Sequence, residues 1–145
     1  MKEAVFGGFD GLTSVLGVIA AAYLAGSTHV LVVASLGLAI AAAVSMGGGL
    51  FLSETDTSKG KWRRTGIMTS ATFVGCVIPA LPFLFLPRIG ALLVAGVLVL
   101  MSAVLIAQIR VPTHGIARAY IQTFAILLLA GGLSIGCTLL FNLAG

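Results

Sequence analysis

The sequence predicts an all-α integral membrane protein, a single domain over residues 1–145 with five transmembrane helices. Hydrophobic residues make up 59% of the chain and charged residues 8%, against roughly 25% charged in an average soluble domain. Five apolar runs, at about 4–25, 29–53, 66–87, 89–111 and 119–144, each approach or exceed the roughly 20 residues that cross a hydrocarbon core. We therefore expect a multi-pass chain embedded in a lipid bilayer, with little mass outside it.

The first apolar run contains a carboxylate, Asp10, within the segment FGGFDGLTS. An ionised Asp at mid-bilayer costs roughly 2.5–3.5 kcal/mol on insertion scales, so the residue is expected to be functional. The alternative is an Asp near the helix N-terminus, stabilised by free backbone N–H groups. The acidic interruption and the length of this run also favour a retained helix over a cleaved signal peptide.

The basic residues predict how the helices are oriented across the membrane. Seven of the eight lie at one side of the predicted bundle and only Arg88 lies at the other. The seven are Lys2, Lys59, Lys61, Arg63, Arg64, Arg110 and Arg118. By the positive-inside rule the N-terminus is cytoplasmic and the C-terminus, Gly145, is extracytoplasmic. The same positive charges can bind lipid headgroups, and a net charge of +4 placed in this way does not indicate a nucleic-acid partner.

Helices 1 and 2 each bring one candidate metal ligand to the same depth. Asp10 comes about six residues after the start of the first run and Met46 about seven before the end of the second, so both lie roughly 10 Å from the cytoplasmic boundary. Polar or small residues near them are predicted to line an ion path, namely Thr13, Ser14, Gly17, Ser45, Gly49 and Gln122. The alternative is that such hydroxyls bond to their own helix backbone or across helix contacts.

Glycines surround both candidates. Gly7, Gly8 and Gly11 flank Asp10, and Gly47 and Gly48 follow Met46. Glycine permits close approach of helices in lipid, so these five are predicted packing residues, and those of helix 1 are expected to allow contact between two first helices. Free carbonyls facing a polar cavity are an alternative use of the Gly47–Gly49 run.

The later segments add little chemistry. Pro79 and Pro82 predict a break in the outer half of helix 3. Cys76 and Cys137 fall at different depths and are expected to be packing residues, while His29 and His114 are single loop residues without a partner at ligand spacing. Because no nucleophile–base pair or phosphate-binding motif occurs, we do not expect an enzyme.

Three segments resemble the vacuolar iron transporter family: FGGFDGLTSVLGVIAA in helix 1, AVSMGGGLFLSE in helix 2 and VIPALPF in helix 3. The resemblance implies a five-helix dimer that exports ferrous iron or manganese from the cytosol in exchange for protons. It further implies that Asp10 and Met46 line the ion path, that the first helices of two protomers face each other, and that no cofactor is permanently bound. The cell membrane is the expected location, with an organelle membrane as the alternative.

The chain departs from the family pattern at three places. Ala42 and Leu50 stand where the family commonly carries acidic residues, and Phe9 stands where an Asn often precedes the Asp. A short, mostly basic segment, 53–65, replaces the Glu-rich domain that many members insert between helices 2 and 3. Two hypotheses follow: a proton-coupled exporter of a divalent transition metal, or a membrane scaffold or accessory subunit that keeps the fold without transport.

Overall fold

The computed structural model describes residues 2–24, 27–55 and 59–144, and every regular element in those ranges is helical. The elements are α1 (Lys2–Leu24), α2 (Thr28–Ser53), α3 (Lys59–Ala80), the short α4 (Pro82–Phe85), α5 (Arg88–His114) and α6 (Ile116–Ala144). Within these ranges, five spans are long and apolar enough to cross a membrane, α3 and α4 together forming the third. The protein is therefore a multi-pass membrane protein, as predicted.

The third helix begins earlier than the sequence predicts. Hydropathy places its start at 66, whereas α3 starts at Lys59 and includes most of the expected basic loop. Lys61 Nζ donates a 2.6 Å hydrogen bond to the Glu54 carbonyl, and Arg64 forms a 3.0 Å ion pair with the Glu54 carboxylate. These contacts hold the first turns of α3 against the end of α2. Apolarity marks where a helix enters lipid, and a helix can start well outside that boundary.

The break predicted at the two prolines of helix 3 is confirmed. α3 ends at Ala80, and α4 starts at Pro82 after the single residue Leu81. Another proline, Pro112, lies within the last turn of α5. This helix ends at His114, three residues past its predicted end at 111. Gly115, at φ 79°, then reverses the chain, and its N–H donates to the Val111 carbonyl at 2.9 Å. A left-handed φ of this kind favours glycine.

α1 is the central helix of the bundle. It packs most extensively along α3 and also contacts α2, α5 and α6. Leu12, Val15 and Ile19 on its inner face are almost completely buried in two apolar clusters. At the other end of α1, Arg88 at the start of α5 donates to the Tyr23 carbonyl and stacks over the Tyr23 ring at 4.3 Å. α1 is therefore fixed along its length, and Asp10 lies on a rigid element.

Candidate functional site

Two glycines of α1 lie against the backbone of α3. A β-carbon at residue 7 would come within 2.6 Å of the Met68 carbonyl oxygen and 2.7 Å of Thr72 Oγ1, and one at residue 11 would overlap the Thr72 carbonyl oxygen. Cys76 Sγ, fully buried, donates to the Gly11 carbonyl at 3.2 Å. Only glycine permits this approach. The contact positions Asp10, the residue before Gly11, relative to α3.

α2 meets the same stretch of α3. A β-carbon at Gly47, the residue after Met46, would overlap the Thr69 hydroxyl. Thr69 and Thr72 are three residues apart and thus about one turn apart on α3. The glycines that follow Asp10 and Met46 therefore contact neighbouring turns of one helix. The equal depth of the two candidates stays a prediction, and the structure shows that each is followed by a glycine in contact with α3.

The other glycines near Asp10 and Met46 differ in their contacts. Gly8 packs on α3, because a β-carbon at Gly75 would lie 2.5 Å from the Gly8 carbonyl oxygen. A β-carbon at Gly48 or Gly49 would meet nothing within 4 Å among the described residues, so the packing role of Gly48 stays a prediction. The expectation that the helix-1 glycines allow contact between two first helices stays a prediction, and the contacts seen for Gly7 and Gly11 are within the chain. Both are buried against α3 of their own chain because α1 is the central helix.

Asp10 lies well inside α1. The helix starts at Lys2, so Asp10 occupies its third turn, where backbone N–H groups are already bonded within the helix. The N-terminal capping alternative therefore does not apply to it. Its side chain is half-buried, and no hydrogen bond or ion pair reaches its carboxylate from the described residues. Thr13, one turn later, donates to the carbonyls of Phe9 and Asp10 at 3.0 and 3.1 Å.

The face of α1 that carries Asp10 is the least buried one. We call it the open stripe, and its residues are Phe6, Asp10, Thr13, Gly17, Ala21 and Leu24. Phe6 is 59% exposed and Leu24 41%, Ala21 is exposed, and the three residues between are half-buried. Their spacings of three and four residues place them along one side of the helix. A polar segment of α1, including Asp10 and Thr13, thus lies along the least buried side of this helix.

The structure gathers only some of the predicted path residues around Asp10. Thr13 and Gly17 share the open stripe, and a β-carbon at Gly17 would lie 3.2 Å from Ser134 Oγ on α6. Ser14 and Met46 are half-buried, whereas Ser45 and Gly49 are exposed. Gln122 is exposed on α6, and its side-chain oxygen accepts a 2.9 Å hydrogen bond from Arg110. Gln122 therefore links α6 to α5 through this hydrogen bond.

Several hydroxyls follow the alternative of bonding to their own helix. Thr72 donates to the Met68 carbonyl at 2.9 Å and Thr123 to the Ala119 carbonyl at 2.8 Å, both from fully buried positions. The contact role of Thr69 and Thr72 was not predicted from sequence. Their three-residue spacing, continued by Cys76 after four more, was the signal that could have indicated one helix face.

One chain alone offers few ligands for a metal ion. Among the described residues, no three His, Cys, Asp or Glu side chains come together to hold one. His29 is exposed, and the side chain of His114 lies outside the described part of the chain. Asp10 is the only carboxylate in the interior of a described helix.

A family model matches residues 1–60, and its family is the VIT family. This match, which covers less than half of the 145 residues, supports membership of the vacuolar iron transporter family. No curated protein and no solved structure matches the chain. The part that matches the VIT model contains α1, α2 and the first two residues of α3, and so includes Asp10, Met46 and the glycines beside them. Membrane transport of metal ions is the general function that this match suggests.

Proposed function

We propose that the protein is a secondary transporter that exports a divalent transition metal, ferrous iron or manganese, from the cytosol in exchange for protons. It acts in the cell membrane as a parallel homodimer, with the ion path between the two α1 helices. The observation that carries this proposal is the Asp10 carboxylate on the open stripe, which has no hydrogen-bond or ion-pair partner among the described residues. Family membership supports metal ions as the transported class.

The charge of Asp10 supports a second copy. An ionised carboxylate facing lipid is costly, and within the described part of the chain nothing neutralises it. The residues of the open stripe recur at spacings of three and four, the pattern by which two helices pack along a seam. A twofold axis along this seam brings two Asp10 side chains together. Two carboxylates balance the charge of one divalent cation.

Met46 supports a transition metal. Thioether sulfur binds softer metal ions, whereas magnesium and calcium sites are built from oxygen. Gly47 holds Met46 beside the stretch of α3 that also fixes Gly11, and therefore near the depth of Asp10. In the dimer, two Asp10 carboxylates and two Met46 sulfurs form the ligand set. When the metal leaves, two protons take its place on the carboxylates, which keeps the site neutral in the membrane.

The scaffold hypothesis keeps one observation in its favour. Ala42, where the family commonly has an acid, packs against the apolar cluster that contains Val15, Ile19 and Ala39. A carboxylate at this position is therefore replaced by a side chain that adds to the core. On this hypothesis Asp10 serves assembly, and the protein carries no metal flux.

Metal uptake into proteoliposomes under a pH gradient tests the transporter. Asp10→Asn keeps the size of the side chain and removes its charge and its titration, so flux should fall to background while the helices and the dimer persist. Met46→Leu keeps the volume and removes the thioether, so it should reduce the flux of iron and manganese more than it reduces stability. Glu54→Gln is the matched control, because Glu54 is paired with Arg64 at the bundle end.

The outcomes separate the two hypotheses. Unchanged flux in Asp10→Asn would end the mechanism proposed here. A wild-type protein that forms dimers but moves neither ion, with or without a pH gradient, would favour the scaffold. Flux that is lost equally in Glu54→Gln would show that charge removal acts through stability and not through a ligand.

A further inference from the structure

An apolar groove lies on the outside of the bundle between α2 and α3. Its volume is about 600 Å³, and its walls include Ile40 and Val44 of α2 and Trp62, Gly66 and Phe73 of α3. The helices touch closely at Gly47 and Thr69, but a β-carbon at Gly66 would meet nothing within 4 Å. The groove exists because glycine at residue 66 leaves the space beside it empty.

The depth of the groove matches one leaflet of a bilayer. From Trp62 to Phe73 the helical rise amounts to roughly 16 Å, and half of a hydrocarbon core is about 15 Å. Trp62 is 69% exposed at the end where α3 begins, as is typical of a side chain at the membrane–water interface. Towards Phe73 the walls are mostly apolar, and the hydroxyl of Ser70 there is bonded to carbonyls of its own helix. The groove therefore has the length and polarity gradient of a single lipid chain.

The charged side chains among the described residues near the groove lie at its Trp62 end. Thr65 Oγ1 is buried in the groove wall and has no hydrogen-bond partner among the described residues. Arg63 is exposed next to Trp62, and Lys61 is held over the Phe51 ring at 4.1 Å. Of the described acids, Glu54 is already paired with Arg64, and Glu3 also interacts electrostatically with Arg64. The end of the groove is thus positively charged, which complements an anionic headgroup.

We propose that this groove is a binding site for an anionic phospholipid from the leaflet at the basic end of the bundle. One acyl chain lies along Ile40, Val44 and Phe73, where Gly66 leaves room for it. An ester oxygen accepts a hydrogen bond from the Thr65 hydroxyl, and the phosphate lies near Lys61 and Arg63. The site is separate from the open stripe and does not depend on metal transport.

Lipid titration of the purified protein, followed by native mass spectrometry, tests the site. The probes are phosphatidylglycerol and phosphatidylcholine with the same acyl chains. Gly66→Leu should fill the groove and weaken binding of both lipids, whereas Gly96→Leu, at an exposed α5 glycine with equally empty surroundings, should not. Arg63→Gln should weaken phosphatidylglycerol alone by about fivefold, since a basic residue near the headgroup contributes about 1 kcal/mol. Arg118→Gln, at an exposed arginine on α6, is its control.

Three results would overturn the proposal. One is equal affinity for the two lipids in the wild type. Another is binding in Gly66→Leu that equals binding in Gly96→Leu. The third is loss of the dimer in Gly66→Leu with lipid binding intact, which would make the groove a protein interface. If Gly66→Leu fails to fold by circular dichroism, Arg63→Gln decides, and an unchanged preference for phosphatidylglycerol there rejects the site.

Discussion

Gly11 and Thr72 are in direct backbone contact, with no room for a β-carbon between α1 and α3. Gly7 makes a similar contact with Met68 and Thr72 one turn earlier. A steric requirement of this kind is strict, because the neighbour is a helix backbone and not a flexible side chain. Close backbone packing between α1 and α3 therefore lies beside the proposed ligand Asp10.

Gly11→Ala should destabilise the bundle. The added methyl group must push α1 from α3, and overpacking of this kind costs about 1–3 kcal/mol. Gly37→Ala on α2 is the control, because a β-carbon there meets nothing within 4 Å, and a helical Gly→Ala change gains up to about 1 kcal/mol. Thermal unfolding in mild detergent should show a lower Tm for Gly11→Ala only. Equal Tm values would mean that the two helices can separate freely.

The open stripe should be the seam of the dimer. In a Cys137→Ser background, with Cys76 retained because it is fully buried, Ala21→Cys should form an intermolecular disulfide under mild oxidation. Such a bond requires Cα atoms about 4.4–6.8 Å apart, which a seam along α1 provides. Leu93→Cys, 68% exposed on α5, should stay monomeric on a non-reducing gel. Cross-linking at Leu93 but not at Ala21 would place the interface on α5.

The basic end of the bundle should face the cytoplasm. Ser58, in the segment between α2 and α3, and Gly145 lie outside the described residues. Exposed positions in the described part of the chain are therefore used as labelling sites. Thr55→Cys, after α2, should resist a membrane-impermeant thiol reagent added to intact cells, and Leu86→Cys, before α5, should react with it. Both should react once the membrane is opened. The reverse labelling would invert the orientation and, with it, the direction of export.

Gln122 should contribute to the α5–α6 hairpin and not to the ion path. Gln122→Ala removes only one of the two hydrogen bonds that Arg110 donates, the other going to Thr123 at 3.0 Å. We expect metal flux within about twofold of wild type, and a loss of stability of about 1 kcal/mol for one such bond. Flux and unfolding measured on the same preparation separate the two roles. A large loss of flux at unchanged stability would return Gln122 to the path.

The structure changes how the glycine pattern is interpreted. The sequence shows that small residues cluster at Asp10 and Met46, because lipid-embedded helices approach closely only through small side chains. It does not show which helix each glycine faces. Gly7, Gly11 and Gly47 all contact α3, whereas a β-carbon at Gly48 would have no neighbour within 4 Å among the described residues. The difference between Gly47 and Gly48 depends on how α2 is rotated about its axis. Rotation is set by packing against several helices at once.

The start of α3 has a related explanation. Lys59 to Arg64 look like a loop by hydropathy, which measures transfer into lipid and not backbone conformation. Glu54, across the turn from α3, supplies both its carboxylate and its carbonyl to hold these residues in a helix. A contact between the ends of two helices is a tertiary feature, and no local pattern of apolar residues predicts it.

By itself the sequence determined that the protein lies in a lipid bilayer, that it has five spans and that the third is broken at Pro79 and Pro82. It also identified Asp10 as a carboxylate within an apolar run. These follow from composition, length and the cost of a carboxylate in lipid, which are properties of a segment alone. Only the tertiary structure decided that α1 is central, that Asp10 faces the open stripe, and that Gln122 binds Arg110. The physical reason is that apolar residues lie nearly all round these helices, so burial in lipid does not decide which side of a helix faces its neighbours. Close packing between helix backbones decides it.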